Sequence, residues 1–206
     1  MIDSISLAST ALAFFVVAVS PGPANISNAT IAMNYGRKPS LIYGAGLSCG
    51  LVFWGIIAAS GMGVLLQSSL YLLTALKVLG GVYLLWLGFQ FGRQAIVSKL
   101  EETTVSIGQN WFLHGFVLNL SNPKSVLAWM AALSVGLDSG DGTGAIIAAT
   151  AVCIFVGFAN NALYSILFSV GGMMRVYQKY RQWISSIAAT LFTLAGFGLI
   201  RSAFAR

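Results

Sequence analysis

Residues 18 to 28 read AVSPGPANISN, and this stretch decides how the rest of the chain is read. Pro21, Gly22 and Pro23 interrupt an apolar run that extends from Ile5 to Asn34. A bilayer span needs about 20 mostly apolar residues, and this run is longer. A counterpart lies near residue 120, where NLSNPK occupies Asn119 to Lys124. Proline inside a helix has no N–H to donate and clashes with the carbonyl four residues earlier. Pro21 therefore frees the carbonyl of Val17, Pro23 that of Val19, and Pro123 that of Asn119. In hydrocarbon such groups must find partners or line a cavity, because each one left alone costs several kcal/mol.

Composition agrees with a membrane setting. Hydrophobic residues make up 57% of the chain and charged residues 8%, with a mean hydropathy of +0.84. A soluble domain carries roughly 25% charged residues. No charge occurs from Ser4 to Gly36, Pro39 to Leu76, Gly142 to Met174 or Gln182 to Ile200. A soluble bundle with polar outer faces cannot be written this way. The opening MIDSISLASTALAFF lacks the basic start of a secretory signal peptide and reads as a retained first span. Cys49 and Cys153 sit in apolar windows without metal-ligand spacing and read as reduced packing residues. The net charge of +6 is scattered over connections between spans, so it points to cytoplasmic loops rather than to nucleic acid.

The pattern predicts an all-α membrane protein with six transmembrane helices. They run from Ile5 to Asn34, Leu41 to Leu66, Leu70 to Gly92, Trp111 to Leu137, Gly144 to Gly171 and Trp183 to Ala203, and the first and fourth are broken by proline. The connections after the first, third and fifth spans hold Arg37, Lys38, Arg93, Lys99, Arg175, Lys179 and Arg181. The other side holds Asp3, Asp138, Asp141, Arg201 and Arg206. The lysine and arginine bias puts the basic loops in the cytoplasm and both termini outside. The whole chain, 1–206, reads as one transporter-like domain, with a longer polar linker between Arg93 and Asn110 that contains Glu101 and Glu102.

An internal repeat fits this division. An offset of 100 places Pro23 on Pro123, Gly44 on Gly144 and Ala45 on Ala145; an offset of 108 places Gly88, Phe89 and Arg93 on Gly196, Phe197 and Arg201. The repeats span about 1–93 and 110–206. Three spans per half is an odd number, so a duplicated half must enter the bilayer inverted. Inverted repeats with broken helices at their interface are a transporter architecture.

Beyond each break a half-helix begins, presenting free N–H groups and the positive end of its dipole, which suits a carboxylate. The freed carbonyls, with Asn25, Asn28, Asn119 and Asn122, offer acceptors to an ammonium group. The candidate substrate-binding residues are thus Pro21, Gly22, Pro23, Asn25, Asn28, Asn119, Asn122, Pro123 and Lys124, joined by Asn160 and Asn161 in the fifth span. For a zwitterionic amino acid this set supplies both signs. Lys124 lies thirteen residues beyond Trp111, deep in the bilayer at ~1.5 Å per residue. A lysine at the centre of a span costs on the order of 2.5 to 3.5 kcal/mol on the gentler insertion scale. No acidic residue in any span is there to pair with it. It is expected either to meet a substrate carboxylate or to titrate during transport; the structural alternative is a lysine bonded to the freed carbonyls. Lys77, near the start of the third span, is expected to snorkel outward. His114 reads as an interface residue, and glycines 44, 46, 50, 55, 61 and 63 as a stripe that lets helices approach. No catalytic set emerges, since His114 and two remote cysteines make neither a nucleophile with its base nor a metal pair.

In order, SPGPAN, the glycines around Gly46 and Gly50, LKVLGGVYLLWLG and GFVLNLSNPK make the chain resemble the lysine exporter (LysE/RhtB) family of bacterial amino-acid exporters over nearly its whole length. The resemblance implies a multi-pass carrier of the bacterial cytoplasmic membrane, without a cofactor, that exports amino acids or close derivatives using the electrochemical gradient. It carries motif roles to Pro21, Gly22, Pro23, Asn25, Lys77, Gly80, Tyr83, Gly88, Asn119, Asn122, Pro123 and Lys124. Two positions depart from the family pattern: Ala24-Asn25 stands where relatives often have Asn-Asn or Asn-Asp, and Gly157, Asn160 and Asn161 stand where many carry an acid. A basic substrate thereby loses its counter-ion, so small neutral amino acids are expected. The alternative is a carrier for another small solute or ion. The expected partners are the amino-acid substrate and the lipid bilayer, with room for a homodimer and no role for nucleic acid.

Overall fold

The structure is a computed structural model that describes residues 4–20, 22–68, 70–96, 110–137 and 141–204. Eight helices account for nearly all of these residues: α1 (Ser4–Val19), α2 (Pro23–Tyr35), α3 (Arg37–Ser68), α4 (Leu70–Ile96), α5 (Trp111–Leu120), α6 (Pro123–Gly136), α7 (Thr143–Phe168) and α8 (Met173–Phe204). No strand occurs among the described residues. Within α3, α7 and α8, the segments Arg37–Gly61, Thr143–Phe168 and Arg175–Phe204 are each long and apolar enough to cross a membrane. The pair α1 and α2 satisfies the same criterion when taken together, bent by 58° at the break, as a broken span or a re-entrant loop would be.

Both breaks fall where the prolines put them. Pro23 and Pro123 each open a new helix. There the missing N–H costs nothing, because the first helical N–H groups have no partner within the helix anyway. Elsewhere the boundaries differ from the sequence reading. Residues Arg175 to Arg181, expected as a loop, form the first turns of α8, which starts straight after Gly172 turns the chain at φ 88°. Its basic residues Arg175, Lys179 and Arg181 ride on those first turns. Gly36, with φ 91°, is the whole connection between α2 and α3; Pro39 lies in the first turn of α3, where proline is tolerated. Arg93 is likewise helical, in the last turn of α4. Lys99, Glu101, Glu102, Asp3, Asp138 and Arg206 lie outside the described residues, as does Pro21.

Packing is set by glycines. Helix α3 sits centrally against α2, α5, α6 and α7, and α4 lies along α8. On α3, Gly46 faces the backbone of Phe112, Gly50 faces Asn119 and Gly55 faces the Trp129 ring, so α5 and α6 come close. Gly61 faces open space instead. In the α4–α8 pair the carbonyl of Ala189 and Thr193 crowd Gly88, while the carbonyl of Gly81 and Leu85 crowd Gly196. Adding 108 to Gly81, Leu85 and Gly88 gives Ala189, Thr193 and Gly196, so the sequence offset carries one contact set onto the other.

Helices α1 and α6 run antiparallel. Thr10 meets Gly136, Phe14 lies 4.9 Å from Trp129 between ring centroids, and Ser20 meets Lys124. This crossing brings the end of α1 to the start of α6. Phe14, Trp129, Leu133, Leu137, Ala149 and Cys153 form the core beside it. Cys49 and Cys153 are both free thiols.

Candidate functional site

The carbonyls released at the end of α1 are all spoken for by side chains. Ser20 Oγ donates to the Val17 carbonyl at 2.6 Å. Asn25 Nδ2 reaches back to the carbonyls of Ala18 at 2.6 Å and Ser20 at 3.0 Å. The Tyr164 hydroxyl, from α7, donates to Val19 at 2.9 Å. Helix ends leave carbonyls without intrahelical partners, and at membrane depth no water replaces them. Ser20 and Tyr164 were not singled out in the sequence. Ser20 adjoins Pro21, and Tyr164 lies one turn past Asn160 on the same face of α7, which is the pattern that could have flagged it.

Lys124 crosses from the second break to the first. Its Nζ donates to the Ser20 carbonyl at 3.0 Å and to Ser20 Oγ at 2.6 Å, and lies 5.8 Å from the centroid of the Phe91 ring. Ser20 Oγ can accept this bond because its own proton points at Val17. Gly22 makes room, since a Cβ there would stand 3.1 Å from Nζ. The lysine is thus held by Ser20, beside the carbonyls of Val17 and Val19 that the prolines free, and it also lines a cavity.

That cavity, about 60 Å³, lies between the two breaks, α3 and α7. Gly22, Asn25, Asn119, Asn122, Lys124, Asn160 and Asn161 line its polar part; Phe14, Val17, Leu51, Ala128 and Gly157 line its apolar part. Its volume has room for a few waters by the usual measure of about 10 to 15 Å³ each. Two buried oxygens, Asn119 Oδ1 and Asn160 Oδ1, have no hydrogen-bond partner, although their residues are only 5% and 6% exposed. Unsatisfied buried acceptors cost roughly 1 to 3 kcal/mol, and both residues line the cavity.

The two half-helices differ at their starts. Asn122 Oδ1 accepts from the Lys124 N–H at 3.1 Å and caps α6. Helix α2 begins at extended Gly22 with no side-chain cap, and its end opens on the cavity. An uncapped N-terminus carries partial positive charge and attracts anions.

Two of the sequence candidates, Pro23 and Asn28, stand apart from the cavity wall. Pro21 lies outside the described residues, Pro23 is exposed, and Pro123 contributes as the first residue of α6. Asn28 belongs to a separate buried network: its Nδ2 donates to the Asn161 carbonyl at 3.0 Å, and its Oδ1 accepts from Ser40 at 2.8 Å and Ser165 at 3.3 Å. This network ties α2 to α3 and α7. Asn160 and Asn161 line the cavity while donating to Asn25 Oδ1 at 3.2 Å and Ser48 Oγ at 2.9 Å. Lys77 does not snorkel to the surface; it is 8% exposed. His114 is exposed, with Nδ1 2.7 Å from the Asn110 carbonyl at the start of its own helix.

The family model described as LysE type translocator matches residues 15–203. Among curated proteins, the threonine efflux protein of Escherichia coli (strain K12) is 30% identical, covering 92% of this chain and 93% of its own length. The threonine efflux protein of Salmonella typhi is 29% identical over the same shares. The homoserine/homoserine lactone efflux protein of Salmonella typhimurium is 35% identical across 57% of each chain. No solved structure matches at a significant level.

Proposed function

This chain belongs to the LysE type translocator family, and from that premise we propose that it exports small neutral amino acids, hydroxylated ones such as threonine and homoserine first among them, from the cytoplasm. The observation that carries the reading is the cavity between the breaks, which Lys124 lines together with Asn119 and Asn160, each holding an unpartnered buried oxygen. A substrate carboxylate binds Lys124 Nζ and the uncapped start of α2, while its ammonium donates to those two oxygens. Charge-assisted bonds of this kind are about twice as strong as neutral ones. The spans contain no Asp or Glu, so a cationic side chain would find no counter-ion and a neutral one loses nothing.

In this reading the chain forms six spans in two inverted halves, with both termini outside and the basic connections in the cytoplasm, and works by alternating access. Support for the halves comes from the matching glycine contacts of α4 and α8 and from the two proline-initiated half-helices. Alternating access then means rocking of one half against the other around the fixed site. The test is export from cells preloaded with threonine-containing dipeptides. Producing the protein should speed threonine release; unchanged release, with the protein confirmed in the membrane, would sink the proposal.

A further inference from the structure

The polar and apolar parts of the cavity are layered. Along α1, Phe14 and Val17 precede Ser20; along α6, Ala128 follows Lys124 by one turn; along α7, Gly157 precedes Asn160 by about one turn. Because α1 and α6 are antiparallel, all three steps lead the same way from the polar layer. A substrate whose charged groups occupy Lys124, Asn119 and Asn160 therefore points its side chain at this apolar floor.

One floor residue is held aside by a glycine. The Leu51 Cδ2 methyl occupies the notch in α7 where Gly157 has no side chain, and a Cβ at Gly157 would fall on that methyl. Leu51 is anchored on its backbone, with its carbonyl accepting from Trp129 Nε1 at 3.0 Å, and belongs to the same buried core as Phe14 and Trp129. If the methyl leaves the notch, the open volume beside it is the cavity.

We propose that Leu51, parked against Gly157, sets the upper size of the side chain this protein transports. The proposal rests on the exporter reading and adds to it a named specificity pair. Filling the notch pushes Leu51 into the cavity and narrows it. Shortening Leu51 deepens the floor by up to three carbon atoms. One methylene of pocket depth discriminates substrates by about 10- to 200-fold.

The experiment compares release of serine, threonine and leucine from cells preloaded with the corresponding dipeptides, each normalised to membrane abundance. Leu51→Ala should raise the leucine-to-threonine export ratio about tenfold or more, and Gly157→Ala should raise the serine-to-threonine ratio. Leu51→Val, a smaller change, replaces Leu51→Ala if that variant fails to accumulate, and shifts the ratio in the same direction. Unchanged ratios in variants present at wild-type abundance, with threonine exported by the wild type, overturn the filter and leave the exporter reading standing. No threonine or serine export by the wild type removes both.

Discussion

Replacing Lys124 by methionine separates a transport role from a structural one. In the structure its ammonium makes two bonds, to the carbonyl and hydroxyl of Ser20, at 3.0 and 2.6 Å. Bonds to a charged group are worth about 1.5 to 3 kcal/mol. Against that loss stands the removal of an ammonium from membrane depth, a gain on the order of 2.5 to 3.5 kcal/mol. The substitution leaves no orphan behind, because the Ser20 carbonyl keeps Asn25 Nδ2 at 3.0 Å and Ser20 Oγ keeps the Val17 carbonyl at 2.6 Å. With two such bonds lost, the net runs from a gain of about 0.5 to a loss of about 3.5 kcal/mol, and Lys124→Met should still reach the membrane. If the lysine holds the substrate carboxylate, losing that bond lowers transport by roughly 10- to 100-fold at about 1.4 kcal/mol per decade. The assay is threonine release from dipeptide-loaded cells, with abundance measured on the same membranes. Lys124→Arg keeps the charge on a broader, planar head group and should retain part of the flux. Wild-type flux in Lys124→Met at matched abundance refutes the reasoning and leaves the lysine as a tie between helices.

Asn119→Ala removes a buried oxygen that has no partner, so it should cost little stability while lowering threonine export about tenfold or more; equal export would exclude Asn119 as an ammonium acceptor. Gly50→Ala places a Cβ 2.8 Å from the Asn119 Cβ and 3.1 Å from the Phe116 carbonyl, overpacking worth about 1 to 3 kcal/mol. Melting of the purified protein in detergent should fall, while Gly61→Ala, facing open space, should leave it unchanged. Tyr164→Phe strips the Val19 carbonyl of its hydroxyl donor and should destabilise by roughly 1 to 3 kcal/mol, measured in the same way. For topology, single-cysteine labelling in a Cys49→Ser, Cys153→Ser background should find Lys38→Cys protected from an impermeant reagent in intact cells and Asp141→Cys reactive; the reverse pattern would invert the charge-based orientation.

The breaks were legible because proline acts through covalent geometry, which no tertiary context can undo. That is why Pro23 and Pro123 mark helix starts to the residue. The membrane character and the family were legible as well, one from the charge-free intervals and the other from the ordered motifs. Partner choice was not. Asn25 and Asn28 look alike in sequence, three residues apart on one half-helix, yet Asn25 turns to the cavity and Asn28 to Ser40 and Ser165. The difference depends on which neighbour each face of α2 meets. Lys77 shows the same limit, since snorkelling is decided by what packs over the side chain. The start of α8 was misplaced because a run of basic and aromatic residues is equally compatible with a loop and with a helix that emerges from the bilayer.

The two breaks share proline chemistry but divide the work. The first was expected to offer its freed carbonyls to a substrate ammonium, yet Ser20, Asn25, Tyr164 and Lys124 already occupy them. Under the proposed reading the ammonium is thereby left to Asn119 and Asn160, cavity-lining residues whose buried oxygens have no partner. The carboxylate, in turn, must compete with Ser20 for Lys124. Under the proposed reading, loading the site loosens the one hydrogen-bonded link that Lys124 makes between the end of α1 and the start of α6. A ligand can shift a conformational equilibrium only by its differential contacts with the two states, and this exchange supplies one. In that reading, substrate occupancy and the relative position of the two halves are coupled through a single side chain. A lysine that is costly to bury is suited to that task, because neither partner alone, the Ser20 carbonyl or the substrate, satisfies it in both positions.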